Sequence, residues 1–331
     1  MKIIIITGVC LLIVLFFATG CTRLFGGVSK GKASANIETY LQREYNGKLA
    51  FSHLTRFFNA ATMDPNMYGV LIYNKEIPEI EFYTHLNVKH ILVNDTLPMY
   101  AKSDSKTFND LYKNAVEQYE TRQAVIADFK NEIPEITFST EEIDLNFNRD
   151  LEPSELEDVV TRFIDRLNQS FETLNTGYQF RLLIKMASHP DGFIIIPLDI
   201  KDSKRFQKPM VLSVKAAGFE SLKAMILNNI HAKLEKPYPY FKATEYSKIY
   251  MDKSTLSRGA WVQYLEDKRI VNDGKGKWKN PQTGLYVVYF DLDTKFIYRG
   301  ELLTNENDST SYREELRKII GTIEAEGIRT K

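Results

Sequence analysis

Apolar and polar residues alternate most regularly over 178–187, where Tyr178, Phe180, Leu182, Ile184 and Met186 are interleaved with Gln179, Arg181 and Lys185. A period of two predicts a strand with one buried face. SHPDG (188–192) supplies a turn, with Pro190 preset for it and Gly192 closing it, and FIIIPLDI (193–200) returns. The pair predicts a β-hairpin. LYVVYF (285–290) and KFIYRGELL (295–303) predict another across DLDT, while YGVLIYN (68–74) and EIEFYTHL (79–86) predict two more strands. Pro78 between those two is confined to a strand start or an edge. HILVN (90–94) and PMVLSVKA (209–216) are the remaining strand candidates.

Steps of three and four predict the helices. NIETYLQREYN, capped by Asn36 and stopped by Gly47, puts Ile37, Tyr40, Leu41 and Tyr45 on one side. A long helix over 104–131 carries Phe108, Tyr112, Ala115, Ile126 and Phe129. Ser154 and Glu157 form a capping box ahead of Leu156, Val159, Val160, Phe163 and Leu167. A helix over 219–234, ended by Pro237 and Pro239, one over 254–267, and a last one opened by Ser311 and Glu314 complete the set. Hairpins mixed with amphipathic helices predict the α+β class, antiparallel sheets with helices on one face. NRDLEP near 150 divides modules 36–150 and 151–331, unless they form one continuous domain. EIPEIEFYT (76–84) matches EIPEITFST (132–140) at seven of nine positions. A duplicated module and a coincidence both fit that echo.

The opening stretch, MKIIIITGVCLLIVLFFATGC, has a different pattern. Lys2 precedes an apolar run from Ile3 to Ala18 that is shorter than the ~20 residues a bilayer-crossing helix needs. A basic start, an apolar centre and the small residues Ala18, Thr19 and Gly20 describe an export signal. With Cys21 directly after them, the stretch resembles the lipobox of bacterial lipoprotein precursors. That resemblance implies cleavage between Gly20 and Cys21, a diacylglyceryl group on the Cys21 thiol, an acylated amino terminus, and membrane attachment through the lipid. Each buried methylene then contributes ~0.8 kcal/mol of membrane affinity. Ala18 stands where Leu is commoner in that family. Thr22 stands where an Asp retains enteric lipoproteins at the inner membrane, which implies the outer membrane in a Gram-negative cell. An uncleaved signal anchor, and ordinary cleavage with Cys21 incidental, are the competing fates. Residues 22–35 (TRLFGGVSKGKASA) read as a flexible tether, so 1–20 is the signal and 21–35 the lipidated linker. Residues 36–135 are also similar to uncharacterised secreted lipoproteins built from helix–strand–strand units, a likeness that carries no activity.

Composition narrows the partners. Lys plus Arg and Asp plus Glu both number 43, so the net charge is zero, and loss of residues 1–20 removes only Lys2. Bulk charge therefore drives neither nucleic-acid nor anionic-membrane binding. The two cysteines are Cys10 and Cys21. After cleavage no thiol is left for a disulfide, a thiolate metal site or a cysteine nucleophile.

No downstream motif assigns a chemistry. His53, His85, His90, His189 and His231 include no helical i, i+4 pair and no HExxH. Asp291 and Asp293 alternate as in a calcium loop but lack its glycine and terminal Glu, so a hairpin turn explains them better. Glu141, Glu142 and Asp144 are adjacent, whereas glycosidase carboxylate pairs converge from distant positions. GxSxG, SxxK and the P-loop are absent. Lys275, Lys277, Trp278 and Lys279 form a basic loop with one aromatic, suited to a glycan, a phosphate or an anionic surface. The expectation is a membrane-anchored envelope lipoprotein that binds or scaffolds another envelope protein or a glycan, with no catalytic residue, cofactor or metal. The alternatives are an envelope hydrolase acting on glycan or cell wall, and a transporter's solute-binding lipoprotein hinged near 150.

Overall fold

The computed structural model describes residues 27–57, 64–97, 106–174, 181–269 and 282–304. They form helices and mostly antiparallel sheets of the α+β class. The chain falls into two compact units divided at Thr121 and Arg122. The boundary expected near 150 is thereby corrected, because β4 (Glu135–Phe138) and β5 (Glu142–Asn146) belong to the sheet of the second unit. NRDLEP is a loop within that unit, and its Asp150 accepts hydrogen bonds from the Ser188 N–H and hydroxyl at 3.0 and 2.6 Å.

In the first unit, α1 (Lys30–Tyr45) precedes the antiparallel meander β1 (Leu49–Arg56), β2 (Met67–Asn74) and β3 (Glu81–Asn87). Residues 30–35, expected in the tether, are helical. Ser29 is the N-cap, its hydroxyl accepting from the Lys32 N–H at 3.4 Å, and Ala33 is buried one turn ahead of Ile37. Asn36 is therefore not a cap; its amide donates to the Val88 carbonyl at 2.8 Å. Asn46 and Gly47, at φ 51° and 69°, turn the chain out of the helix. Ala33, Ile37, Tyr40 and Leu41 join Leu54, Val70, Ile72 and Leu86 in one core. Phe108, the first residue of α2 (Phe108–Phe129), is fully buried there. Its ring lies 5.1 Å from Tyr40, 5.5 Å from Tyr45 and 5.2 Å from Phe82. Burial pushes the Tyr40 phenol well above its ordinary value and the Tyr45 phenol up to about 12. HILVN is not a strand. The Asn87 carboxamide accepts from the Lys89 and His90 N–H groups at 3.0 and 3.1 Å, and this local turn overrides the β-propensity.

The second unit holds α3 (Pro153–Gln169), α4 (Phe171–Leu174), α5 (Phe219–Ile230), a π turn (His231–Glu235) and a ten-stranded sheet. Its later strands are β6 (Arg181–Met186), β7 (His189–Lys201), β8 (Lys204–Gln207), β9 (Val211–Leu212), β10 (Phe241–Met251), β11 (Arg258–Asp267), β12 (Gln282–Asp291) and β13 (Phe296–Thr304). They run β13-β12-β11-β10-β9-β7-β6-β5-β4, with β8 paired to β7 off that path. The pair β5–β6 is parallel, unlike the expected hairpins, and its crossover contains α3 and α4. The expected capping box at Ser154 does not form. Glu152 is the N-cap without a side-chain bond, and Pro153, with φ already preset, starts α3. The stripe of α3 is buried as expected, with Phe163 5.2 Å from Phe129.

Both expected hairpins form, β6–β7 and β12–β13. The first is tighter than SHPDG suggested, since Met186 already pairs with His189 and Pro190 and Gly192 lie inside β7. PMVLSVKA contributes only β9, and β8 was not anticipated. The helix expected over 254–267 is the strand β11. Trp261 and Leu265 face one core, while Ala260 and Val262 face another with Tyr250, Leu285 and Val287. A strand buried on both faces loses its polar alternation and no longer reads as period two. The echoed segments differ in context: the first links β2 to β3, the second links α2 to β4. What they share is a local Pro-bearing turn into an edge strand. The signal, residues 21–26 of the tether and the last expected helix lie outside the described residues.

Candidate functional site

The candidate site belongs to the first unit, where α1 and β1 run antiparallel with a groove between them. Two cavities lie end to end along it. One, of about 740 Å³, is lined by Lys30, Ser34, Ser52, His53, Thr55 and Tyr83 among others. The second, of about 880 Å³, is lined by Glu38, Thr39, Gln42, Arg43, Leu49 and Lys75 among others. Phe51 lines both. Tyr83 is 55% exposed, and it lies over Gly69 so closely that a Cβ there would come within 1.9 Å of its hydroxyl.

Strand β1 is an edge, hydrogen-bonded among the described residues to β2 alone. The Lys75 N–H donates to the Lys48 carbonyl, and Ala50 and Ser52 stand opposite Tyr73 and Leu71 in the same register. Antiparallel pairs alternate between bonded and unbonded positions, so the backbone N–H and C=O of Leu49 and Phe51 point away from β2. On the far side of β2, the Asn74 N–H donates to the Ile80 carbonyl, which fixes the same alternation independently. The register slips between Ser52 and Thr55, with His53 at φ 53°. This bulge ends the straight part of the edge.

None of these residues was singled out by sequence except His53. The available trace was a broken alternation, with apolar residues at 49, 51 and 54 where an unbulged strand would keep one parity. Of the sequence-predicted site residues, Gly20, Cys21, Lys275, Lys277, Trp278 and Lys279 lie outside the described residues. Glu141, Glu142 and Asp144 are held in ion pairs across the β5–β6 face. The Arg181 guanidinium is 2.9 Å from Glu142 and 3.7 Å from Glu141, and the Lys185 ammonium is 2.6 Å from Asp144. Asp291 organises its hairpin turn, accepting from the Thr294 N–H and hydroxyl at 2.8 and 2.9 Å. Burial raises its pKa, but hydrogen bonds from Thr294, Tyr298 and Ser257 outweigh burial and hold it below the ordinary carboxylate value. Among the described residues no group of three or more His, Cys, Asp or Glu is placed to hold a metal ion.

The histidines are dispersed. His85 packs 4.0 Å from Phe57 and 5.3 Å from Tyr83. His189 stacks on Phe193 at 4.2 Å, and its Nδ1 accepts the Ala217 N–H at 2.9 Å. Burial lowers both pKa values below 6.5, in His189 against the opposing pull of Asp150 and Asp293. The unfolded chain therefore takes up protons on these residues before the folded chain does. Stability present at neutral pH is lost as the pH falls below the unfolded value toward the folded ones. The melting temperature is expected to drop between about pH 7 and about pH 5, above the main carboxylate range. The double variant His85→Gln/His189→Gln should flatten that slope; a slope unchanged by the substitutions would contradict the assignment.

One further polar group stands apart. Arg205, 4% exposed on β8, stacks on Phe171 at 5.1 Å and donates from Nη2 to the Leu174 carbonyl at 3.0 Å. Its Nε and Nη1 are buried without a hydrogen-bond partner, and burial lowers its pKa. The Asn168 carboxamide clamps the Arg205 backbone, accepting at 2.7 Å and donating at 3.0 Å. Arg205 thus caps the carbonyl end of α4 and ties β8 to α3, a structural use of the cation.

No protein family and no curated protein matches the chain. Among solved structures it is similar to the Bacillus megaterium YpeB C-terminal domain, at 9% identity over 84% of this chain and 99% of that one, with a TM-score of 0.15. A likeness at that score carries no inference about fold or function. Among the described residues no helix is long and apolar enough to cross a membrane.

Proposed function

We propose that this chain is a lipid-anchored cell-envelope protein that works by binding or scaffolding another envelope component, without catalysing a reaction. The lipid is carried on Cys21 after cleavage behind Gly20, and the folded body is held at the membrane, the outer one in a Gram-negative cell. The observation that carries the binding half of this reading is the α1–β1 groove, an open channel beside an edge strand whose outward backbone groups have no partner among the described residues. Such a surface recognises shape and backbone; His53 shares its cavity with Ser34, Ser52 and Thr55, but among the described residues no hydrogen bond joins its ring to their hydroxyls. The carboxylates that would serve a glycosidase, Glu142 and Asp144, are engaged by Arg181 and Lys185.

The test is an activity assay with the full-length protein in detergent, on cell-wall polymer and on soluble glycans. The expected result is no turnover above a buffer control. Hydrolysis that disappears in Glu142→Gln or Asp144→Asn would replace the binding reading with the envelope-hydrolase one.

A further inference from the structure

We propose that the outer edge of β1 binds an extended polypeptide segment by strand addition, and that the preferred segment is acidic. The inference rests on the binding reading above and names its ligand class.

Three observations converge on it. First, Leu49 and Phe51 each direct a backbone N–H and C=O away from β2, and among the described residues these groups have no hydrogen-bond partner; Phe51 is half-buried and Leu49 only 3% exposed, so an added strand meets Phe51 first. Two such residues spaced by one form the repeat that another extended backbone satisfies. A sugar or a helix does not present donors and acceptors at that spacing. Second, the groove beside this edge has the right length. It follows α1 from Lys30 to Arg43, roughly 20 Å at the helical rise, which accommodates about six residues of extended chain. The bulge at His53 confines the backbone pairing to the Leu49–Ser52 part of that groove, about 13 Å, and leaves the rest for side-chain contacts. Third, the charge along the track is mainly positive. Lys30 lines one cavity and Lys75 the other, and neither has an ion pair among the described residues. Arg43 is paired with Glu44. The one lining carboxylate, Glu38, accepts a hydrogen bond from the Ser34 hydroxyl at 3.1 Å. An incoming strand with carboxylates on its flanks complements Lys30 and Lys75. A second copy of β1 does not, because edge-to-edge pairing would bring Lys48, Lys75 and Lys30 of both copies together.

The test uses the full-length protein in detergent and three synthetic octapeptides. One alternates Glu and Val, one alternates Lys and Val, and the third is the Glu–Val peptide N-methylated at every residue, so that neither of its edges can donate. Amide hydrogen exchange is followed at Leu49 and Phe51. The Glu–Val peptide is expected to slow both amides at least tenfold, to bind at least tenfold more tightly than the Lys–Val peptide, and to lose binding on N-methylation. Lys30→Glu/Lys75→Glu, which touches no core residue, should reverse the preference between the two charged peptides. The proposal is overturned by exchange at Leu49 and Phe51 that no peptide slows, or by binding indifferent to N-methylation. It is equally overturned by protection of both amides without peptide in a protein that sediments as a dimer, which would identify a second copy as the occupant. Glycan binding that leaves these amides exchanging would sink strand addition and keep the binding reading. Turnover of a substrate would sink the binding reading itself.

Discussion

Phe108→Ala is expected to lower the stability of the first unit by about 3–5 kcal/mol, the range for removing a fully buried Phe from a packed core. The residue has no exposed surface and meets three other rings, from Tyr40, Tyr45 and Phe82, at 5.1 to 5.5 Å. Tyr40 and Tyr45 come from α1 and Phe82 from β3, so one side chain at the start of α2 fastens the helix to the sheet that together form the groove. Its loss removes the transfer energy of the ring and leaves a cavity lined by stiff aromatics that cannot collapse into it. Amide exchange in β2 reports the opening of this core directly, with amides of β6 in the second unit as the internal reference. The expected result is faster exchange in β2 by at least a hundredfold with β6 unchanged. A change in β2 of less than tenfold would show that the aromatic cluster is not what holds α1 in place.

The elements most legible from sequence were the stripe of α3, whose other face is wet, and the apolar runs bounded by clear turns. YGVLIYN, the β6–β7 pair and the β12–β13 pair each lie where those runs put them, to within a few residues, although β12 is buried on both faces. Legibility failed in β11, where both faces are dry and the apolar residues also fit helical steps. There Trp261 and Leu265 serve one core and Ala260 and Val262 the other. It failed again where a side chain overrode a local preference, as Asn87 does in turning HILVN away from a strand. The helical start at 30–35 reads as tether because its apolar residues, Ala33 and Ala35, are small. Ala33 is fully buried, yet an alanine among Gly, Ser and Lys does not announce a helical face.

The groove was harder to see than the fold for a physical reason. The groups proposed to bind are backbone atoms of Leu49 and Phe51, and a sequence names side chains only. The charges that frame it, Lys30 and Lys75, are 45 positions apart and approach the same groove only after α1 and the β1–β2 hairpin form. Two of the acidic motifs that stand out in the sequence serve the fold. Asp291 holds a turn, and the carboxylates at 142 and 144 are the acidic side of a charge-paired sheet face.

Cys21→Ser is expected to have the largest effect of any single substitution on where the protein works. A thioether to a lipid requires sulfur, and a serine hydroxyl is not a substitute nucleophile for that transfer at neutral pH, its pKa being far above that of a thiol. On the proposed lipidation, two or more acyl chains on residue 21, at ~0.8 kcal/mol per buried methylene, would give stable attachment where one chain gives only reversible binding. Without them the neutral body, with 43 basic and 43 acidic residues in the whole chain, has no bulk charge to hold it on an anionic surface. The direct measurement is expression of the native chain and Cys21→Ser in a bacterial host, followed by membrane fractionation and the mass of the amino-terminal peptide. The native chain should partition with membranes and yield a peptide beginning at Cys21 with the added mass of a diacylglyceryl group, while Cys21→Ser accumulates as unprocessed precursor or leaves the lipid-anchored pool. A native chain whose Cys21 carries no lipid, with Cys21→Ser matured and retained equally well, would contradict the lipid-anchored binding protein proposed here.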